Sequence, residues 1–209
     1  MDVDVDHLVW AGPDLDRLVE HVAAQTGTTP VYGGRHEGRG THNYLVGLGS
    51  GRYLELLGPD PGQPEPSRPR PMRVDGLTDA ALVGWAVRTD DIDGRVAAAR
   101  DRGYDPGDVA QMSRRTSDGT LLSWRLTPPE GGFGGVVPFV IDWLDSPHPA
   151  AGLSSSMSLS RLTLRHPRPD EVSEALTALG LDGWAEVVGA ATPGISAVLT
   201  TPRGDVPIG

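Results

Sequence analysis

Apolar side chains recur at helical spacing in three segments of the chain. Between Asp14 and Gln25 the apolar positions follow the i, i+3, i+4, i+7 order of a helix with one buried face. Similar spacing recurs from Asp91 to Arg102 and from Asp170 to Leu179. Each segment opens on an aspartate that can cap a helix, and a glycine stands shortly beyond its end. The pattern predicts three helices at intervals of about 78 residues.

Short strand-like runs surround each predicted helix. One run precedes each helix, at 5–10, 82–88 and 159–165. Three runs follow it, at 30–32, 43–48 and 52–57 in the first unit, at 109–113, 121–126 and 136–143 in the second, and at 184–188, 195–200 and 206–208 in the third. The glycines at 49 and 51 suit a hairpin turn. We therefore predict an α+β fold of tandem βαβββ units, two full units and a third C-terminal one.

Two loop-like stretches separate these units. Residues 59–80 begin with a run too dense in proline for a helix or a central strand, and residues 145–157 contain proline and small residues. The predicted organisation is unit one at 1–58, unit two at 81–144 and a less regular unit three at 158–209, joined by these two connectors. One helix covers one face of each sheet, which leaves the other face to form a core or a cup.

Composition narrows the available chemistry. The 209 residues contain no cysteine, and all 18 basic residues are arginine. These absences exclude disulfides, thiolate nucleophiles, Cys-ligated metals and lysine-dependent mechanisms. The net charge of −10 argues against general affinity for nucleic acid or anionic membranes, and no run is long enough to span a bilayer. We expect a cytoplasmic protein with a small-molecule partner, and unpaired sheet edges would allow a homodimer.

Three motifs in the first unit suggest a family. They are DHLVWAGPDLD at 6–16, GGRHEGRGTHN at 33–43 and GRYLELL at 51–57. Together with the tandem units they resemble the glyoxalase-like branch of the vicinal oxygen chelate superfamily, over roughly residues 5–145. The resemblance implies that paired units form a cup and that metal ligands come from the first and last strands of the units.

That resemblance implies His7 and Glu55 as metal ligands. Independently of it, His42 at the start of a predicted strand is the preferred candidate for a third ligand or a general base, with His36 second. Imidazole and carboxylate together suit one divalent cation such as Zn²⁺, Fe²⁺, Mn²⁺ or Ni²⁺, and a site without metal is the alternative. The second unit departs from the family pattern, because Gly84 stands opposite His7. Asp142 in its last strand falls about one position out of register, which would turn it to the other face.

The connection between the second and third strands concentrates polar side chains. Its histidines can act as acid or base near neutral pH, although a solvated hairpin is the simpler interpretation. Glu55 lies mid-strand between leucines, where a buried carboxylate needs a partner or a wet cup. The catalytic candidates are Glu55, His42 and His36, and the substrate-binding candidates are Arg35, Asn43, Arg114, Trp124 and Asp142. We expect His21, His148 and His166 at the surface, and Arg114 before a turn at 117–119.

Two main hypotheses for function remain open. The first is an enzyme that uses metal- or His/Glu-assisted enolisation, isomerisation or lyase chemistry, or dioxygenase chemistry, on an oxygen-bearing organic acid or ketone. The second is a metal-free binding protein of the resistance type, which holds an aromatic or antibiotic-like compound in a Trp-lined cup. Gly84 and the five tryptophans favour the second hypothesis. A structural module whose cup has closed into a core is a third possibility.

Overall fold

Two β-sheets and three α-helices make up the fold in the computed structural model, which describes residues 3–116 and 119–209. The first two residues of the predicted unit one, Ser117 and Asp118 of the predicted turn, and the side chain of Arg115 lie outside the described part. The helices are α1 (Leu15–Thr26), α2 (Ile92–Asp101) and α3 (Pro169–Ala178). In the described part, no helix is long and apolar enough to cross a bilayer.

The larger sheet combines the first two units. Its strands are β1 (Asp4–Ala11), β2 (Val31–His36), β3 (Thr41–Gly47), β4 (Tyr53–Pro59), β5 (Ala81–Arg88), β6 (Ala110–Arg115), β7 (Leu121–Leu126) and β8 (Phe139–Asp142). They lie in the order β2-β3-β4-β1-β5-β8-β7-β6. Each unit places its first strand parallel to its last, and β1 pairs antiparallel with β5 to join the two units. This arrangement confirms the predicted α+β fold built from βαβββ units.

Two of the three predicted helix caps are present. The side chains of Asp14 and Asp91 each accept a hydrogen bond from a backbone N–H at the start of α1 and α2. The third cap was placed incorrectly, because α3 begins at Pro169 and its N-cap is Arg168. Proline is favoured at the first position of a helix, which leaves Asp170 inside the first turn, where its charge suits the helix dipole.

An approximate two-fold axis relates the two units at the β1–β5 pair. His7 pairs with Ala86, and Val9 pairs with Gly84. A two-fold rotation that exchanges β1 and β5 therefore places Gly84 at the position of His7 and Ala86 at the position of Val9. Each strand also carries a β-bulge at an equivalent place, at Asp6 in β1 and at the residue before Gly84 in β5. The backbone of the second unit therefore repeats that of the first.

Strand β1 separates a helix-side core from the inside of the cup. Leu8 and Trp10 belong to the cluster that packs against the helices, whereas Val9 and Ala11 belong to the cluster on the cup side. The free edges of the sheet approach each other where buried Arg114 on β6 donates a hydrogen bond to a β2 backbone carbonyl. The sheet is therefore curled into a nearly closed cup.

The third unit has the predicted element order but a different strand pairing. Its strands β9 (Ser158–His166), β10 (Glu186–Gly189), β11 (Gly194–Thr201) and β12 (Gly204–Ile208) lie in the order β10-β9-β11-β12. The first strand of this unit pairs with its second and third strands, whereas β1 pairs with its own unit's last strand. The unit packs on the helix side, where Arg102, the C-cap residue of α2, donates to the Ala178 carbonyl at the end of α3.

Candidate functional site

A cavity of about 80 Å³ lies inside the cup. Its polar lining comes mainly from unit one and its apolar lining mainly from unit two. The polar lining residues of unit one are His7, His36, Arg39, Asn43, Tyr53 and Glu55. Unit two supplies Arg114 and the apolar residues Met112, Trp124, Leu126, Phe139, Ile141 and Trp143, and the connector supplies Pro71 and Met72. Six predicted site residues therefore share one cavity: His7, His36, Asn43, Glu55, Arg114 and Trp124.

Glu55 is the carboxylate of this cavity. It is only 9% exposed, and Asn43 Nδ2 donates a 2.6 Å hydrogen bond to its Oε1. His7 Nε2 lies 3.7 Å from Oε2, and His36 Nε2 lies 3.9 Å from Oε1. Both histidine distances exceed hydrogen-bond length, so the two imidazoles flank the carboxylate without bonding to it directly.

Asp6 contacts the Nδ1 side of the His7 ring. Asp6 is fully buried, and its Oδ1 lies 2.5 Å from His7 Nδ1. Its Oδ2 lies 2.7 Å from His148 Nε2 and accepts a 3.2 Å hydrogen bond from Trp143 Nε1. Burial opposes ionisation of Asp6, but the hydrogen bonds from His148 and His7 outweigh it and hold the pKa of Asp6 far below its ordinary value. His7 Nδ1 therefore carries a proton toward Asp6, and His7 Nε2 faces the cavity.

Asp6 was not predictable from strand alternation because of the bulge in β1. In a regular strand, neighbouring residues point to opposite faces, so the Asp6-His7 pair would be split between core and cup. The register shift between Val5 and His7 breaks that alternation. As a result Asp6 contacts both His7 and cavity-lining Trp143. The adjacent Asp-His pair at the start of a strand was the only signal available.

His36 and Tyr53 complete the polar wall. His36 Nδ1 lies 3.0 Å from the Thr41 hydroxyl. Burial lowers the pKa of His36, and the charge of Arg114 lowers it further, although the charge of Glu55 acts in the opposite direction. Tyr53 stacks on His7 with ring centroids 4.6 Å apart. Burial raises the pKa of Tyr53 well above its ordinary value, and the nearby carboxylates add to that rise. Both side chains are therefore neutral near pH 7.

Three predicted residues are not brought to the cavity. His42 follows the alternation of β3 to the face opposite Asn43 and lines a separate surface groove. Arg35 is half-exposed, and its guanidinium forms a 3.0 Å ion pair with Asp60. Asp142 accepts a hydrogen bond from a backbone N–H two residues on, while its neighbours 141 and 143 line the cavity. A one-residue step reverses the face of a strand residue, which is why His42 and Asp142 point away.

The histidines that we expected at the surface divide into two groups. His21 is exposed on α1, as predicted. The expectation for His166 was wrong, since it is 5% exposed and packs edge-on against Phe133. The expectation for His148 was also wrong, because it is hydrogen-bonded to buried Asp6. Their proline neighbours suggested loops, but loop residues can fold back onto a core.

The counterpart of Glu55 in the second unit is Phe139. Val9 of β1 pairs with Glu55, and the equivalent Ala86 of β5 pairs with Phe139. Together with Gly84, the counterpart of His7, this leaves the second half of the cup without a metal ligand at either position.

Members of the superfamily often use a divalent metal. Met72 Sδ lies 3.4 Å from the point where a Cβ at residue 84 would stand, so a thioether occupies the space beside the missing ligand. Within residues 3–116 and 119–209, no group of three or more His, Asp or Glu side chains is arranged to hold an ion. The donors that line the cavity, His7, His36 and Glu55, all come from unit one, so the ligand set from both units that the family pattern implies is incomplete. No chemical step is therefore assigned to a metal.

The family assignment follows from sequence comparison. The sequence model of the glyoxalase-like domain matches residues 5–180. The chain belongs to this glyoxalase-like family. The match confirms the predicted membership of the glyoxalase-like branch of the vicinal oxygen chelate superfamily, and it supports a small-molecule enzyme in general terms. No curated protein matches the chain in sequence.

Two solved structures are similar to this glyoxalase-like protein, and the first of them shares its fold. A hypothetical protein from Staphylococcus aureus is 16% identical, with a TM-score of 0.64, and the alignment covers 99% of this chain and 84% of that one. A methylmalonyl-CoA epimerase from Mycobacterium tuberculosis is 19% identical over 71% of this chain and 91% of its own, with a TM-score of 0.41. The first similarity extends the shared fold over the third unit.

Proposed function

We propose that this glyoxalase-like protein is an enzyme that moves a proton on a small oxygen-bearing organic acid or ketone. The reaction class is enolisation, isomerisation or lyase chemistry, assisted by His7 and Glu55. The observation that carries the proposal is the Asp6-supported imidazole of His7, whose second ring nitrogen lies beside the buried Glu55 carboxylate in a small cavity.

His7 is the proposed general base. Its Nε2 accepts a proton from the carbon next to the substrate carbonyl, and the ionised Asp6 carboxylate stabilises the imidazolium that results. The stacked ring of Tyr53 and the edge of Phe139, with ring centroids 4.6 Å and 5.5 Å from that of His7, restrict the imidazole to this orientation. Such preorganisation is worth more in a largely apolar cavity than in water.

Glu55 is the proposed second proton-transfer group. Asn43 fixes one of its oxygens with the 2.6 Å hydrogen bond, and the other lies 3.7 Å from His7 Nε2. A substrate that contacts both groups from the cavity can lose a proton to one group and regain it from the other. The two groups therefore suit a reaction in which a proton leaves and returns at neighbouring atoms.

The walls of the cavity limit the substrate. Arg114 is buried at the cavity and Arg39 stands exposed at its lining, so two guanidinium groups are available for a carboxylate. The opposite wall carries Trp124 and Phe139. A cavity of about 80 Å³ is well below the volume of drug-sized pockets, roughly 300–1,000 Å³. We propose a short carboxylic or oxo acid with an apolar substituent.

Proton exchange into D₂O tests this proposal without knowledge of the natural product. A panel of short 2-oxo acids and 2-substituted carboxylic acids is incubated with chelator-treated protein, and loss of carbon-bound protons is followed by ¹H NMR. We expect Glu55→Gln and His7→Gln to reduce the exchange rate by at least about 100-fold. The matched control is His42→Gln, which changes a histidine outside the cavity and should keep the wild-type rate.

Two results would contradict the proposal. One is the absence of exchange with every compound of the panel that binds to the wild-type protein. The other is exchange that appears only after Zn²⁺, Fe²⁺, Mn²⁺ or Ni²⁺ is added back to the chelator-treated protein, because the proton transfer would then depend on a metal.

A binding protein is the second candidate function. The rings of Trp124 and Trp143 lie 5.3 Å apart in the apolar wall and would suit an aromatic or antibiotic-like ligand. This candidate predicts ligand-induced quenching of tryptophan fluorescence without turnover, lost in Trp124→Phe and retained in the remote control Trp184→Phe. Consumption of the ligand would exclude it. Cytoplasmic location and homodimer formation stay predictions from the sequence.

A further inference from the structure

We propose that His148 is a positioning residue of the cavity. It lies outside both cup-forming units, in the connector that leads to the third unit, and its role would be to hold Asp6 so that His7 keeps its basic nitrogen toward the cavity. The catalytic consequence rests on the proposed function, whereas the orientation of His7 can be measured independently of it.

The hydrogen bonds of His148 determine which ring nitrogen carries its proton. Its Nδ1 accepts a 3.2 Å hydrogen bond from the backbone N–H of Ala150, so that nitrogen is unprotonated. Its Nε2 lies 2.7 Å from Asp6 Oδ2 and therefore donates its proton to the carboxylate. The short 3₁₀ helix that starts at Pro149 fixes the backbone at this point.

Asp6 divides its two oxygens between two histidines. Oδ1 accepts from His7, and Oδ2 accepts from His148 and, over the longer distance of 3.2 Å, from Trp143. The nearest cation is Arg88, whose guanidinium lies 3.9 Å from Oδ2. Because Asp6 is fully buried, loss of the His148 donor leaves its carboxylate with too few hydrogen bonds to offset the cost of burying its charge. A carboxylate that rotates or takes up a proton can no longer hold His7 in one tautomer.

Packing holds the connector against the first unit. His148 lies between the rings of Tyr53 and Trp143, at centroid distances of 6.0 Å and 5.7 Å. Further along, a Cβ at Gly47 would collide with the Ser154 carbonyl oxygen, so the glycine lets the connector pass closely. The connector path is therefore set by contacts with unit one as well as by the third unit.

His166 provides a matched control for His148. Its Nδ1 also accepts a hydrogen bond from the backbone N–H two residues on, at 3.0 Å. It lies on β9 against Phe133, away from the cavity, and it is more buried than His148. A purely structural role would therefore make His166→Leu at least as disruptive to the protein as His148→Leu.

The test is the ¹⁵N NMR spectrum of imidazole-labelled full-length protein. In the wild type we expect His7 to be protonated at Nδ1 only. In His148→Leu we expect mixed His7 tautomers and an exchange rate lower by roughly tenfold or more, while His148→Gln, which retains an N–H donor, restores most of both. His166→Leu should leave the His7 signals unchanged even where it lowers stability.

A remote variant gives a second, independent measurement. Gly47→Ala introduces the Cβ that meets Ser154 and should displace the connector, giving the same mixture of His7 tautomers as His148→Leu. Unchanged His7 signals in a folded His148→Leu protein would overturn the inference. If no compound of the panel exchanges protons but the tautomer still depends on His148, the proposed function fails and the positioning role stands.

Discussion

The two halves of the cup have the same backbone and opposite chemistry. The strand pairings extend this two-fold relation to the outer strands of the sheet. Asn43 of β3 pairs with Leu57 of β4, and at the equivalent place in the second half Leu126 of β7 pairs with Ile141 of β8. His36 likewise pairs with Thr41 as Met112 pairs with Trp124. Five equivalent pairs result, with the residue of unit one given first: Asp6 and Val83, His7 and Gly84, His36 and Met112, Asn43 and Leu126, Glu55 and Phe139.

This difference shows how a repeated fold can divide its roles. Every polar member of the five pairs stands in unit one, and every counterpart in unit two is apolar or glycine. The first half therefore supplies most of the polar lining of the cavity, while the second half supplies, apart from Arg114, an apolar surface. The asymmetry also accounts for the incomplete metal site, since a ligand set drawn from both halves needs donors on both sides.

The largest effect is expected at Asp6. Asp6→Asn replaces a buried anion that accepts hydrogen bonds from two histidines, and we expect the free energy of unfolding to fall by about 3 kcal/mol at pH 7. Urea denaturation measures the change. Asp142→Asn is the control, because its side chain accepts a backbone hydrogen bond from Leu144 outside the cavity and should cost less than about 1 kcal/mol.

The difference in stability between the wild type and Asp6→Asn should depend on pH. Because the pKa of Asp6 is lowered in the folded protein, its contribution to stability is present above the unfolded value of about 3.9 and is lost as the pH falls below it. The stability gap between wild type and Asp6→Asn should therefore shrink below about pH 4. A gap that stays constant down to pH 2 would contradict an ionised Asp6.

Restoring the symmetry should create a metal site. The triple variant Gly84→His, Phe139→Glu and Met72→Ala supplies the two missing donors and removes the thioether from their space. We expect Zn²⁺ affinity at least about 100-fold above that of wild type, equivalent to about 2.7 kcal/mol, by calorimetry after chelator treatment. Met72→Ala alone is the control, and equal affinities in all three proteins would show that the two halves are not equivalent.

His36→Met should remove a pH dependence of stability that arises in the first half. Burial lowers the pKa of His36 from its ordinary 6.5, so the unfolded chain binds a proton that the folded protein does not, and stability falls as the pH drops below 6.5. The slope that His36 contributes is at most about 1.4 kcal/mol per pH unit. In His36→Met this slope should be absent between pH 6.5 and 5, and in His42→Gln it should persist.

The smallest effect is expected for the counterpart of His36. Met112→Leu exchanges two apolar side chains of similar volume in the second half, and the free energy of unfolding should change by less than about 1.5 kcal/mol. Its stability should keep the wild-type pH dependence, because no titrating group is altered. A changed pH dependence of stability would mean that the apolar residues of the second half influence the titration of the polar residues in the first half.

Most of the fold was predictable from residue patterns. Apolar periodicity located all three helices and a run for each of the twelve strands, because the periods of 3.6 and 2 are properties of a few consecutive residues. The strand pairing of the third unit was not predictable from element order, since pairing depends on distant contacts. The unit boundaries at 1–58, 81–144 and 158–209 remain predictions.

The site was predictable only in part. His7 and Glu55 were found because a family resemblance and mid-strand polarity marked them, and both line the cavity. Asp6 was not predicted because a bulge breaks the alternation of β1. His148 was not predicted because more than a hundred residues separate it from its partner Asp6. His42 was misplaced because a single step along β3 decides the face.

The sequence alone therefore determined the elements, the family and the absence of cysteine and lysine chemistry, because these follow from local pattern and composition. Tertiary structure alone decided which side chains face one another. The bulge at Asp6, the register of β1 against β5 and the path of the connector past Gly47 are set by contacts between segments far apart in the chain. Those contacts place the polar half of the cavity opposite the apolar half.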